Sequence, residues 1–251
     1  MNNPTLLITG LVLLLLNSCR IEEEYDQMSH RAFLQNHAFA IGQATLELYD
    51  AERDRPVKTE VWYPTLDTTK RNVTVEYPFK LPPTSKDAQP VTGKFPLILL
   101  SHGTGGNRIS QMWLACELVG NGYIVASVNH FGNTNDHKIP ENFVRIWERP
   151  EDISFLLDYL TGSPKWRPVI DTAKIGMVGF SLGGYTGVAL AGAATDYHLI
   201  GRFAASEQGK REFTLPELGD ISHLITPELM KEGNAKSQGL KDDRITAFVV
   251  M

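Results

Sequence analysis

The stretch "IGMVGFSLGGYTG", residues 175–187, restricts what this chain can fold into more than any other. An apolar run, Ile175 to Val178, ends at Gly179; Ser181 follows, and Gly183 and Gly184 come directly after Leu182. A serine in the pattern G-x-S-x-G, after a buried strand and before a helix, needs a sharp turn whose close neighbours lack a Cβ. Such a turn lifts the serine Oγ above the end of a sheet. It also aims the N-terminus of the next helix at the serine, where a free amide can stabilise a developing anion. A lone match to the pattern also arises by chance as a glycine-rich turn. Here the apolar run before it and the small residues from Leu182 to Ala194 after it supply the required context. Ser181 is therefore the candidate nucleophile and the Leu182 amide a candidate oxyanion donor.

The rest of the chain reads as alternating strands and helices. Thr45, Glu47 and Tyr49 alternate with Leu46 and Leu48, the signature of a half-exposed strand, and a polar turn leads to a second strand ending at Trp62-Tyr63-Pro64. Phe95 to Ser101 is continuously apolar, as expected of a central strand covered on both faces, and Tyr123 to Val128 is another. A helix is predicted from Gln111 to Val119, stopped by Gly-Asn-Gly. "RPEDISFLLDYLTG", Arg149 to Gly162, is the clearest helix. Pro150 suits its first turn, Glu151 and Asp152 suit the positive end of its dipole, and Ile153, Leu156, Leu157 and Leu160 recur at helical spacing. Ile175 to Gly179 is a third buried strand, and Ile245 to Met251 a fourth. This order predicts an α/β fold: a mostly parallel sheet with helices on both faces, its first two strands forming an antiparallel edge. Thr65 to Gly93, with several Pro, Thr and Lys residues, reads as an irregular excursion.

Composition excludes several classes of function. Hydrophobic residues make up 42% of 251 and charged residues 21%, enough for a sizeable core in one domain. The formal net charge is -5, and no basic block or Lys/Arg stripe occurs, so nucleic acid is not an expected partner. The histidines are scattered and the two cysteines have no ligand spacing, so no metal and no cofactor is expected. Cys116, in "MWLACELVG", reads as a small buried hydrophobe. Leu6 to Leu16 is an uncharged apolar run, too short for the roughly 20 residues of a membrane span but of the length of a signal-peptide h-region. Leu16-Asn17-Ser18-Cys19 resembles a bacterial lipobox, with Cys19 as the lipidated residue, although "MNNPT" lacks Lys or Arg and Asn17 is unusual there. The alternative is a secretory signal cleaved near Ser18. Residues 1–19 are thus expected to be a signal and 20–251 an exported domain, anchored to a membrane through Cys19 or free in the periplasm or medium.

Ser101-His102-Gly103-Thr104-Gly105-Gly106 follows the Phe95–Leu100 run. Like Ser181 it falls at the carboxyl end of a predicted strand, where open α/β sheets bind ligands. The oxyanion of a tetrahedral intermediate needs two N–H donors about 2.7–3.1 Å away. Leu182 would give one and Thr104 the other, with His102, Gly103 and Gly105 supporting the loop. A phosphate-binding loop is the competitor, but neither G-x-x-x-x-G-K-[ST] nor G-x-G-x-x-G after a strand is present.

Together, "FPLILLSHGTGGNR", "GYIVASVNHFGNTND", "RPEDISFLLDYL" and "IGMVGFSLGGYTGVALAG" resemble the serine α/β-hydrolases related to dienelactone hydrolases and to platelet-activating-factor acetylhydrolase. The resemblance implies an α/β-hydrolase fold and hydrolysis of a small-molecule carboxylic ester by a Ser–His–Asp triad. It assigns Ser181 as nucleophile and Thr104 and Leu182 as oxyanion donors, and makes residues 194–243 a lid or cap. Classical dienelactone hydrolases use cysteine; serine here favours the acetylhydrolase and esterase branch.

The acid and the base are harder to place. In this fold the order is Ser, then Asp or Glu, then His. After Ser181 the only histidines are His198 and His223, both inside the lid. His130 and His137 come in the wrong order, and "VNHFGNTND" is read as pocket wall. Asp242 and Asp243 precede the last strand, at its amino end. The expectation is a C-terminally incomplete, truncated chain with acid and base beyond Met251, and little esterase activity from residues 20–251 alone. The rival readings are a non-catalytic envelope binding protein on the same fold, and a serine peptidase or thioesterase.

Overall fold

The computed structural model describes residues 31–69, 71–72, 76–77, 79–216 and 218–251. The expected signal segment 1–19, with Cys19, lies outside them. Strands β1 (Ala40–Asp50) and β2 (Arg55–Thr65) form an antiparallel pair in full register from Ala40↔Thr65 to Asp50↔Arg55. The predicted alternation is present in β1: Thr45, Glu47 and Tyr49 are exposed and Leu46 and Leu48 are half-buried. Thr65 to Gly93 is not wholly irregular. It contributes a short strand β3 (Thr84–Lys86) parallel to β1, and Arg71–Asn72 pairs outside that, so the antiparallel pair is flanked rather than terminal.

The parallel half of the sheet carries the chemistry. Strand β4 (Phe95–Ser101) runs parallel to β5 (Ile124–Val128) on one side and β6 (Ile170–Gly179) on the other, and β7 (Ala247–Val250) joins β6 in parallel. The order across the sheet is β7-β6-β4-β5-β2-β1-β3, then Arg71–Asn72. Successive side chains of β4 face opposite ways. Leu97 and Leu99 join the core beneath helix α3 (Glu148–Gly162), whose Ile153, Leu156, Leu157 and Leu160 are fully buried. Leu100 joins the opposite core beneath α1 (Met112–Gly120), with Met112, Cys116 and Val119. Both faces are therefore covered, which is why β4 reads as an unbroken apolar run. Cys116 is a free buried thiol whose pKa burial pushes up to about 12, so it is an inert packing residue.

One expectation changes. The strand ending at Met251 is not buried: Val249, Val250 and Met251 are about half exposed, because among the described residues β7 is the outermost strand. The segment 194–243 includes the helices Tyr197–Ala204 and Pro227–Lys236, and Tyr197, Ile221 and Leu229 pack on Phe143, Val144 and Trp147 in a third apolar cluster. Within the described residues no helix is long and apolar enough to cross a membrane.

Candidate active site

Strand β6 ends at Gly179 and helix α4 (Leu182–Leu190) starts after two intervening residues, with Ser181 as its N-cap. Ser181 has φ 52 and ψ -116, a left-handed conformation rarely held by a non-glycine residue. Strain of this kind costs on the order of 1–3 kcal/mol and persists only where the surroundings enforce it. They do so here. A Cβ on Gly179 would lie 2.0 Å from the Gly183 carbonyl oxygen, and one on Gly183 would lie 1.9 Å from the Ser101 carbonyl oxygen. Both framing glycines are thus required by backbone contact. The Ser181 amide donates to the Met251 carbonyl at 2.8 Å, and the Met251 amide donates to the Gly179 carbonyl at 2.9 Å, so the β7 ladder holds the turn. The side chain of Ser181 is left exposed, with no hydrogen-bond partner for its Oγ among the described residues.

The loop after β4 lies directly against this serine. A Cβ on Gly103 would sit 3.1 Å from the Ser181 Cβ. The amides of Thr104 and Leu182 have no hydrogen-bond partners among the described residues, the condition expected of oxyanion donors. A cavity of about 380 Å³ opens beside the loop, lined by His102, Gly103, Thr104, Gln111, Trp113, Phe180 and Met251 among others. Phe180 and Trp113 present large exposed apolar surface there. Gln111 is buried, and neither side-chain amide atom has a partner among the described residues.

Beneath the loop lies a sealed polar network. Ser101 Oγ donates to His130 Nε2 at 2.9 Å, and His130 Nδ1 donates to Asp152 Oδ2 at 2.9 Å. The connectivity is that of a Ser–His–Asp triad, but all three side chains are almost wholly buried, so no substrate reaches Ser101. Arg55 grips Asp152 with two hydrogen bonds, at 2.7 and 3.1 Å, and Arg53 lies 3.0 Å from it. Burial alone would raise the Asp152 pKa; Arg55, with the His130 hydrogen bond, more than reverses this and holds the carboxyl well below the usual range. Burial, reinforced by the charge of Arg149, pushes His130 down to about 3 against the pull of Asp152. His102 is held well below its ordinary value, chiefly by burial. Its Nε2 accepts from the His130 amide at 3.3 Å and its Nδ1 donates to the Gly103 carbonyl at 2.7 Å. Both histidines are neutral at pH 7, and both ring nitrogens of each are occupied.

Three comparisons bear on this arrangement. Residues 60–137, from β2 through the glycine loop and β5, match the family described as platelet-activating factor acetylhydrolase, isoform II. The fold superimposes on the ferulic acid esterase from Streptomyces cinnamoneus with a TM-score of 0.52 and 27% identity. That match covers 61% of this chain and 55% of the esterase, so it spans little more than half of that protein. No curated protein matches. The chain has an α/β-hydrolase fold, and its residues 60–137 are similar to the platelet-activating-factor acetylhydrolases.

Within this α/β-hydrolase fold the residues expected at the site fall as follows. Ser181, Leu182, Gly103 and Thr104 come together at the ends of β4 and β6; Gly105, at φ 64, takes a turn that favours glycine. His102 supports the loop from below. His198 and His223 are exposed on the helical segment and hydrogen-bond only within it, as does Asp220, the carbonyl partner of His223. His137 is exposed and its ring packs on Phe131. His130 is not pocket wall, as its sequence context suggested, but lies in the sealed network, because its ring turns inward to Ser101 and Asp152. Asp152, read from the sequence as an acid suited to the positive end of the α3 dipole, is buried and paired with Arg55. Gln111, Arg149 and Arg55 were not singled out from the sequence at all. The described residues contain no cluster able to hold a metal ion.

Proposed function

We propose that this chain carries the nucleophile and oxyanion hole of a carboxylic-ester hydrolase that works through an acyl-enzyme on Ser181. The observation that carries the reading is the strained, exposed Ser181 at φ 52, seated between an unpartnered helix N-terminal amide and the glycine loop after β4. Ser181 Oγ attacks the ester carbonyl as a base takes its proton. The carbonyl oxygen, now an anion, accepts from the Leu182 and Thr104 amides; the alcohol leaves, and water then releases the acid. The base is neither His102 nor His130, whose ring nitrogens are already committed.

The roughly 380 Å³ cavity beside the loop suits a short or aromatic acyl group: Trp113 and Phe180 give apolar surface, and the Gln111 amide can read one polar substituent. The two named relatives bracket this choice, one an acetylhydrolase and the other a ferulic acid esterase. Export through residues 1–19, with a lipid on Cys19, accompanies this proposal on the sequence pattern alone. The test is labelling of the full-length protein with a fluorophosphonate, alongside hydrolysis of p-nitrophenyl acetate and methyl ferulate. Wild type should be labelled, and Ser181→Ala should not. Label that persists in the Ala variant removes Ser181 from the role.

A further inference from the structure

The first turn of α3 places Arg149 under the site, one turn before Asp152. Arg149 is 1% exposed and has no carboxylate within ion-pair distance among the described residues. Its guanidinium instead meets four neutral acceptors in three directions. Nε donates to Thr186 Oγ1 at 3.3 Å, Nη1 to Asn133 Oδ1 at 3.3 Å, and Nη2 to Ser101 Oγ at 3.3 Å; Nη2 also makes a close contact with the His102 carbonyl oxygen. Each acceptor leads to the oxyanion hole. Thr186 also donates to the Leu182 carbonyl at 3.3 Å, on the first turn of the nucleophile helix. Asn133 Oδ1 also accepts from the Gly105 amide at 3.4 Å, and His102 precedes Gly103 and Thr104.

We propose that Arg149 is the positioning residue of the oxyanion hole, its guanidinium tying the loop that carries the Thr104 amide to the helix that carries the Leu182 amide. This rests on the reading of Ser181 as nucleophile. The two donors lie on segments about 80 positions apart in sequence, and a hole two amides wide tolerates little drift between them. A rigid planar group with five donors can bridge such segments where a flexible ammonium cannot. An unpaired buried cation is costly, and packing alone would be better served by an apolar side chain. Its positive charge also lies on the side of the loop where it favours the anion of the tetrahedral intermediate.

The experiment uses the full-length protein and the variants Arg149→Lys and Arg149→Met, with active sites counted by burst titration and folding checked by thermal melting. On p-nitrophenyl acetate, Arg149→Met should lower kcat about 100-fold, the scale of a lost oxyanion donor, with KM within about threefold of wild type. The rate of fluorophosphonate labelling should fall in parallel. Arg149→Lys, which keeps the charge, should recover about tenfold of the loss. A folded Arg149→Met with wild-type kcat overturns the proposal while leaving Ser181 as nucleophile. If Arg149→Met does not fold, Thr186→Val and Asn133→Ala each cut one tether. A roughly tenfold fall in kcat at constant KM supports the proposal, and wild-type values in both overturn it. A wild type that takes no label removes the nucleophile reading and this inference together.

Discussion

At the scale of single residues, the turn at Ser181 is a problem of excluded volume. Gly183 lies where a Cβ would meet the Ser101 carbonyl oxygen at 1.9 Å, and neither backbone can retreat without separating α4 from β4. Gly183→Ala is expected to lower unfolding free energy by about 2–3 kcal/mol, the range of an overpacked core, read as a lower urea midpoint. Gly105→Ala is the control. It meets open space and carries only the cost of a left-handed backbone at φ 64, about 1–2 kcal/mol. A Gly183→Ala variant as stable as wild type would show that the contact is not what holds the turn. Gln111 poses the opposite case, a buried amide whose two polar atoms lack partners among the described residues. Gln111→Leu should raise the melting temperature, by the equivalent of about 1–3 kcal/mol for a relieved unsatisfied group. It should also erase any preference for a hydroxylated acyl group over its deoxy analogue. A loss of stability in this variant would mean that the amide is satisfied in the free protein.

At the scale of elements, helix α3 does two jobs with one face. Ile153, Leu156, Leu157 and Leu160 bury it against the sheet, and Arg149 and Asp152, three residues apart, put charge under the site. Asp152 is the anchor, because it takes Arg55 from β2, Arg53 from the β1–β2 turn and His130 from beyond β5. Asp152→Asn leaves the cations Arg55 and Arg53 facing a neutral group in a sealed interior. It should cost about 3–5 kcal/mol, as removal of one partner from a buried pair does, checked by urea denaturation at pH 7. A cost below about 1 kcal/mol would place the pair in effective contact with solvent. This network was scarcely legible in the sequence. Arg55 and Asp152 are 97 positions apart, and no local rule joins them. One signal was present: Asp152 falls on the same helical stripe as Leu156 and Leu160, where a carboxylate must be paired. The nucleophile turn was legible for the reverse reason, since its glycines and the apolar strand before it lie within six positions of Ser181, although the Ser101 and Met251 backbones that also hold it do not.

At the scale of the whole molecule, the same sheet that presents Ser181 buries its own polar frame, and this ties stability to pH. The succession of parallel strands was readable from the apolar runs, because each central strand must be apolar on both faces; β7 carries the same apolar signal and is the outermost strand among the described residues. The buried frame adds what no run of residues announces. His130 faces Asp152, Arg149, Arg55, Ser101 and His102, and it is neutral when folded, with its pKa lowered to about 3. His102 shifts in the same direction. Between about pH 6.5, the unfolded value, and pH 3 the unfolded chain therefore binds protons that the folded chain refuses. Stability rises with pH across that window and is lost as pH falls through it. His37 works the other way: burial lowers its pKa, but the Glu117 hydrogen bond and the Phe33 carbonyl bring it above its ordinary value, so it offsets part of the slope. Glu151, whose pKa burial raises, offsets a further part, and the two sealed histidines still leave a net loss on acidification. The urea midpoint at pH 5.0 should fall clearly below that at pH 7.5, before most carboxylates titrate. In His130→Gln, which keeps polar contacts but cannot titrate, the difference between the two pH values should shrink, His102 supplying part of what remains. Equal midpoints at pH 7.5 and 5.0 in the wild type would mean that the sealed network opens to water and that His130 titrates as an ordinary histidine.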